Sequence, residues 1–103
     1  MNEIRETKDA SGRDVVRLTA RVEGLVQGVG FRDYVRTKGR RMGLVGSATN
    51  LPDGAVAVIA EGERAACEAL LELLVTGHTP GRTDRVDHAW SDPRGGLAGF
   101  LRR

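Results

Sequence analysis

Hydrophobic and polar residues alternate strictly from Val16 to Glu23, with Val16, Leu18, Ala20 and Val22 interleaved by Arg17, Thr19, Arg21 and Glu23. A period of two places the four apolar side chains on one face and predicts a half-buried strand. Beyond a glycine-rich interval the spacing changes: Phe31, Val35, Gly39 and Met42 recur at i, i+4, i+8 and i+11, a helical stripe. Glycine on that stripe costs about 1 kcal/mol relative to alanine, so Gly39 points to close packing of helix on sheet. Gly43 is the expected stop. Leu44 to Thr49 reads as a short extended segment closed by Asn50. Leu51-Pro52-Asp53-Gly54 is a turn, in which proline presets φ and glycine takes the left-handed position. Ala55 to Ala60 is apolar on both faces, as in a central strand. Cys67, Leu70, Leu71 and Leu74 form the buried stripe of a second helix over 63–76, ended by Gly77. After Pro80-Gly81, Arg85–Trp90 reads as a weaker strand, and Leu97–Arg103 as a last one.

The order β-α-β-β-α-β, with a hairpin in the middle, describes an α+β, ferredoxin-like split βαβ sandwich. The expectation is an antiparallel sheet with two helices packed on one face. Residues 1–14 are polar and without period, and are expected to be a mobile N-terminal tail, with the domain spanning 15–103. The strands before and after the first helix run parallel in this topology, with the hairpin's second strand between them. Their C-terminal ends share one sheet edge, roughly 10 Å apart. The first of those ends leads into the glycine loop, and Asn50 finishes the second.

With 103 residues, 40% hydrophobic and 29% charged, the chain has the size and composition of one soluble globular domain. No apolar run reaches membrane-spanning length, and no signal-peptide core is present at the start. One cysteine, Cys67, excludes an internal disulfide and fits a reducing compartment, so a cytoplasmic protein is expected. His78 and His88 lie ten residues apart without further ligands nearby in sequence, so neither metal nor other cofactor is expected. The net charge of +2 divides into +4 over residues 1–50 and −2 over the remainder. The excess gathers at Arg32, Arg36, Lys38, Arg40 and Arg41 against Asp33 alone, which supplies a field attractive to small anions or a face for nucleic acid.

Candidate chemistry concentrates in Leu25, Val26, Gln27, Gly28, Val29 and Gly30, which follow the first strand and open the first helix. Glycines at 24, 28 and 30 allow positive φ, so that successive N–H groups can converge on an anion. The helix start adds its own unpaired N–H groups and partial positive charge. Arg32 occupies the first helical turn, where that field disfavours a cation, which suggests an anion between the two. The same residues also fit a tight strand-to-helix turn beside a solvated arginine. This loop is not a Walker A motif, since no Gly-Lys-Ser/Thr follows. Nor is it a dinucleotide fingerprint, because Asp33 stands where the third glycine belongs.

Val22-Glu23-Gly24-Leu25-Val26-Gln27-Gly28-Val29-Gly30-Phe31-Arg32 resembles the first signature of the acylphosphatases. Gly46, Asn50, Gly54-Ala55-Val56 and Gly62 resemble the second at its spacing. The resemblance runs from about Leu18 to the C-terminus. It implies that Arg32 grips a substrate phosphate, that Asn50 positions the attacking water, and that the backbone amides of 25–30 cradle the phosphate oxygens. It implies a small-molecule acyl phosphate as substrate; no nucleic-acid or membrane partner is expected, and a monomer is. Ser47 departs from the aromatic residue usual after the glycine, and Thr49 is also unusual. Residue 47 should face away from residue 50, so packing is expected to feel the change before chemistry does. Hydrogenase maturation carbamoyltransferases begin with a similar domain and continue into zinc fingers; this chain ends at Arg103, and the stand-alone form is the expectation. The residues themselves agree with the family reading. A guanidinium, a carboxamide and main-chain donors can clamp a phosphoryl group but offer no acid to protonate a poor leaving group. A carboxylate, with a conjugate-acid pKa of about 4, departs unaided. The alternative is a non-catalytic anion- or RNA-binding module on the same fold.

Overall fold

The computed structural model describes residues 7–8 and 14–103. Its elements in order are β1 (Thr7–Lys8), β2 (Asp14–Leu25), α1 (Phe31–Arg41), β3 (Val45–Asn50), β4 (Val56–Glu63), α2 (Arg64–Thr76), β5 (Arg82–Ser91) and β6 (Phe100–Arg102). The segment expected to be a tail falls mostly outside the described residues. Within it, Thr7 and Lys8 pair antiparallel with Val15 and Asp14. Asp14 itself opens β2 and bonds Arg64 at 2.7 Å.

Among the described residues β4 lies between β2 and β3, β5 pairs with the other side of β2, and β6 flanks β3. The helices pack on one face, as the α+β ferredoxin-like reading requires. One refinement concerns direction: the sheet is antiparallel except for β6, which runs parallel to β3, with Gly46 opposite Phe100 and Ala48 opposite Arg102. The reason is topological. The chain leaves β5 at one edge and must traverse the whole sheet before joining the other edge. That traverse also shortens the last strand from the expected 97–103, because Gly95, Gly96 and Gly99 all take φ between 70° and 77°. β5 is longer than the expected 85–90. As an edge strand exposed along most of its length it carries little hydrophobic alternation, so its ends are poorly marked in the sequence.

Val16, Leu18, Ala20 and Val22 of β2 and Val56, Val58 and Ala60 of β4 are buried under the helices, together with Phe31 and Val35 of α1 and Cys67, Leu70 and Leu74 of α2. Each fully buried large side chain here contributes about 1.5–3 kcal/mol. Helix α1 ends as expected: Gly43 takes φ 73°, Leu44 N–H donates to Gly39 O at 2.9 Å, and Gly43 N–H donates to Arg40 O at 3.1 Å. Gly39 is buried against Phe100; a Cβ added there would stand 2.5 Å from the ring's Cδ2 and Cε2. Tyr34 packs partly against the core, with Lys38 Nζ 5.5 Å from its ring centre. Among the described residues no helix is long and apolar enough to cross a membrane.

The crossing between β5 and β6 is tied down by a buried carboxylate. Glu61 accepts from the N–H groups of Arg94 and Gly95 at 2.9 and 3.1 Å, and from Arg17 Nη1 at 2.7 Å. Burial pushes its pKa upward, but the two amides and the guanidinium outweigh that and hold it below the usual carboxylate range.

Candidate active site

The site lies at the edge of the sheet where β2 and β3 end. Past Leu25 the backbone turns through Gly28 at φ 75° and Gly30 at φ 86°, and helix α1 begins. A Cβ at either glycine would meet nothing within 4 Å, so what these positions require is the dihedral, not the room. Among the described residues, nothing accepts from the N–H groups of residues 26–30. Gly30, the residue before the helix, has no side chain to cap the first helical amides either. A cleft of about 200 Å³ lies over them, lined by Val26, Gly28, Gly30, Phe31, Arg32, Asp33 and Arg102. A larger, shallower hollow of about 370 Å³ sits at the other end of the sheet. Asp14, Glu63 and Glu68 surround Arg64 there, an arrangement unsuited to an anion.

Two segments far apart in sequence meet beside the cleft. Nη1 of Arg32, in α1, donates to the main-chain oxygen of Arg103 at 2.6 Å, and the backbone N–H of Asn50, at the end of β3, donates to the same oxygen at 3.1 Å. The two residues named from sequence therefore share one acceptor, Arg32 through its side chain and Asn50 through its backbone N–H. Oδ1 of Asn50 is buried and has no hydrogen-bond partner among the described residues. The expected alternation holds at β3: Ser47 pairs with Ile59 and is 6% exposed, while Asn50 pairs with Val56 on the opposite face.

Gln27 turns its side chain away from the cleft. Its Nε2 donates to Leu51 O at 2.7 Å and to Ala55 O at 2.9 Å. Asp53 belongs to the same turn, where its Oδ1 accepts from Ala55 N–H at 3.1 Å and its carboxylate pairs with Arg21. The bond from Arg21 holds the Asp53 pKa below the ordinary range. Cys67 is fully buried, and burial pushes its pKa to about 11, as suits a core thiol. Among the described residues no group of three or more His, Cys, Asp or Glu side chains is placed to hold a metal ion.

Sequence reasoning missed the contribution of the chain's last residues. Arg102 lines the cleft and bonds Asp33 at 3.1 Å, and Asp33 also pairs with Arg36 at 2.9 Å. The available signal was topological. A last strand parallel to β3 brings its C-terminal end beside Asn50.

The acylphosphatase family model matches residues 18–101. The chain belongs to the acylphosphatase family. An acylphosphatase from Frankia casuarinae is 70% identical over 89 residues, covering 86% of this chain and 100% of that relative. Among solved structures, the acylphosphatase from Bacillus subtilis superposes with a TM-score of 0.79 at 29% identity, covering 85% of this chain and 98% of its own. That from Coxiella burnetii gives 0.77 at 31%, covering 86% and 93%. Both acylphosphatase signatures seen in the sequence lie inside the matched span; of the residues they name, Val26, Gly28, Gly30, Phe31 and Arg32 line the cleft, and Asn50 joins Arg32 at the Arg103 oxygen.

Proposed function

We propose that the chain hydrolyses the carboxyl-phosphate bond of small acyl phosphates without a metal ion. The observation that carries this reading is the meeting of Arg32 and Asn50 at one oxygen, beside main-chain amides that have no acceptor among the described residues. In the proposed reaction the amides of 25–30 and the N-terminus of α1 receive the phosphoryl oxygens, and Arg32 grips two of them bidentately. Asn50 holds the water through Oδ1, a buried acceptor with unused capacity. The water oxygen attacks phosphorus in line as the bond from phosphorus to the carboxyl oxygen breaks. Both water protons pass to phosphate oxygens, so an acyl phosphate dianion gives a carboxylate and dihydrogen phosphate. Fixed donors spread the charge of the loose transition state, and the carboxylate leaves without protonation.

The experiment is hydrolysis of acetyl or benzoyl phosphate by pure protein in excess chelator. Arg32→Ala and Asn50→Ala are each expected to lower kcat/KM by about 10²- to 10³-fold. A native protein no faster than these variants would overturn the reading. The RNA-binding alternative finds no support on the sheet. Phe31 and Phe100 are fully buried, Tyr34 and Trp90 pack partly against the core, and none of the four lies open for base stacking.

A further inference from the structure

Gln27 spends its side chain on neither the cleft nor solvent. The two N–H bonds of its amide point to two carbonyls, Leu51 at 2.7 Å and Ala55 at 2.9 Å. Two carbonyl partners require a donor, so this end of the side chain is the nitrogen. Both acceptors belong to one closed turn, in which Leu51 N–H donates to Ala55 O at 2.8 Å and Gly54 N–H to Leu51 O at 3.1 Å. The first acceptor belongs to the residue directly after Asn50. On its own side, Gln27 sits between Val26, which is buried, and Gly28, which lines the cleft. The side chain thus spans from the glycine loop to the turn that begins at Asn50. Among the described residues it makes the only side-chain hydrogen bonds from the loop to that turn.

We propose that Gln27 is a positioning residue, a strut that fixes the distance between the main-chain anion cradle and Asn50. This rests on the hydrolysis reading above. Binding of a phosphoryl group depends on the cradle and Arg32, whereas attack depends on where Asn50 holds the water relative to the bound phosphorus. Removing the strut leaves the first intact and loosens the second. A displacement of about 1 Å between reacting groups is worth about 10²-fold in rate.

The variants are Gln27→Met, which keeps the side chain's length without donors, and Gln27→Glu, whose carboxylate repels both carbonyls. Each is assayed with benzoyl phosphate well below its melting temperature, alongside Asn50→Ala, and inorganic phosphate is titrated as a competitive inhibitor. The expected result is a kcat lower by about 10- to 100-fold with the phosphate inhibition constant within about twofold of native. If Gln27→Met does not fold, Gln27→Glu carries the test, and Gln27→Lys adds to it: its ammonium still offers donors to both carbonyls and should recover most of the native kcat. Native kcat in the donor-free variants, with Asn50→Ala impaired, overturns the strut while leaving the hydrolysis reading standing. An equal loss of kcat and phosphate affinity also overturns it, since Gln27 would then be shaping the cradle itself. Absence of turnover in the native protein marks failure of the hydrolysis reading instead.

Discussion

Replacing Gly39 with alanine sets two effects of opposite sign against each other. In an exposed helix the change would stabilise by about 1 kcal/mol through backbone entropy. Here the new Cβ would stand 2.5 Å from Cδ2 and Cε2 of Phe100. Carbon atoms pack at about 3.5–4.0 Å, so the ring must retreat by about 1 Å. It has little room to do so, because Phe100 is fully buried and its backbone is paired with Gly46 of β3. Overpacking of this kind costs about 1–3 kcal/mol, and a ring closed in on both sides belongs in the upper half of that range. The net expectation is a loss of about 1–2 kcal/mol. Equilibrium urea unfolding measures it, and in a domain of this size each kcal/mol lowers Tm by roughly 4–8 °C. The same substitution in a Phe100→Leu background should be neutral or stabilising, since the smaller side chain vacates the contact. A single Gly39→Ala variant more stable than native by about 1 kcal/mol would show that helix propensity governs this position and would refute the contact argument.

Glu61→Gln removes one acceptor from a buried carboxylate that serves Arg17, Arg94 and Gly95, and should cost about 1–3 kcal/mol near neutral pH. Because the folded protein holds this carboxyl below its ordinary pKa, the stabilisation is complete above about pH 4.5 and fades as pH falls through the lower folded value. Denaturant unfolding from pH 7 down to pH 2 should therefore find native and variant converging in acid, and a gap independent of pH would contradict the assignment. Cys67, with its thiol pushed to about pKa 11 and no exposure, should resist an aromatic disulfide reagent at pH 8 in the folded protein and react once urea unfolds it. Rapid reaction in the native state would place it outside the core.

Much of this molecule is legible in the chain because its informative positions are local. The period-two run from Val16 to Val22 and the helical stripe through Phe31, Val35 and Gly39 each specify an element and the face it buries, and the structure returns both. Arg32 and Asn50 could be paired from sequence because strands flanking one helix must end at a common edge. What escaped depends on contacts between distant segments. Nothing near Arg102 says that its strand will run parallel to β3, since that follows from the route of a glycine-rich crossing held down by Glu61. The role of Gln27 was half visible: its place in the loop could be read, but its acceptors at Leu51 and Ala55 lie across a gap that only folding closes.

The two glycines at the mouth of the cradle have a stereochemical consequence. Around Gly28 and Gly30 there is space for a methyl group, yet both hold dihedrals that strain an L-residue. A D-alanine introduced at either place by chemical synthesis favours those positive dihedrals, and it narrows the unfolded ensemble relative to glycine. The dihedral, not the volume, thus excludes an L side chain at the mouth of the cradle, a restraint that no inspection of side-chain size would reveal.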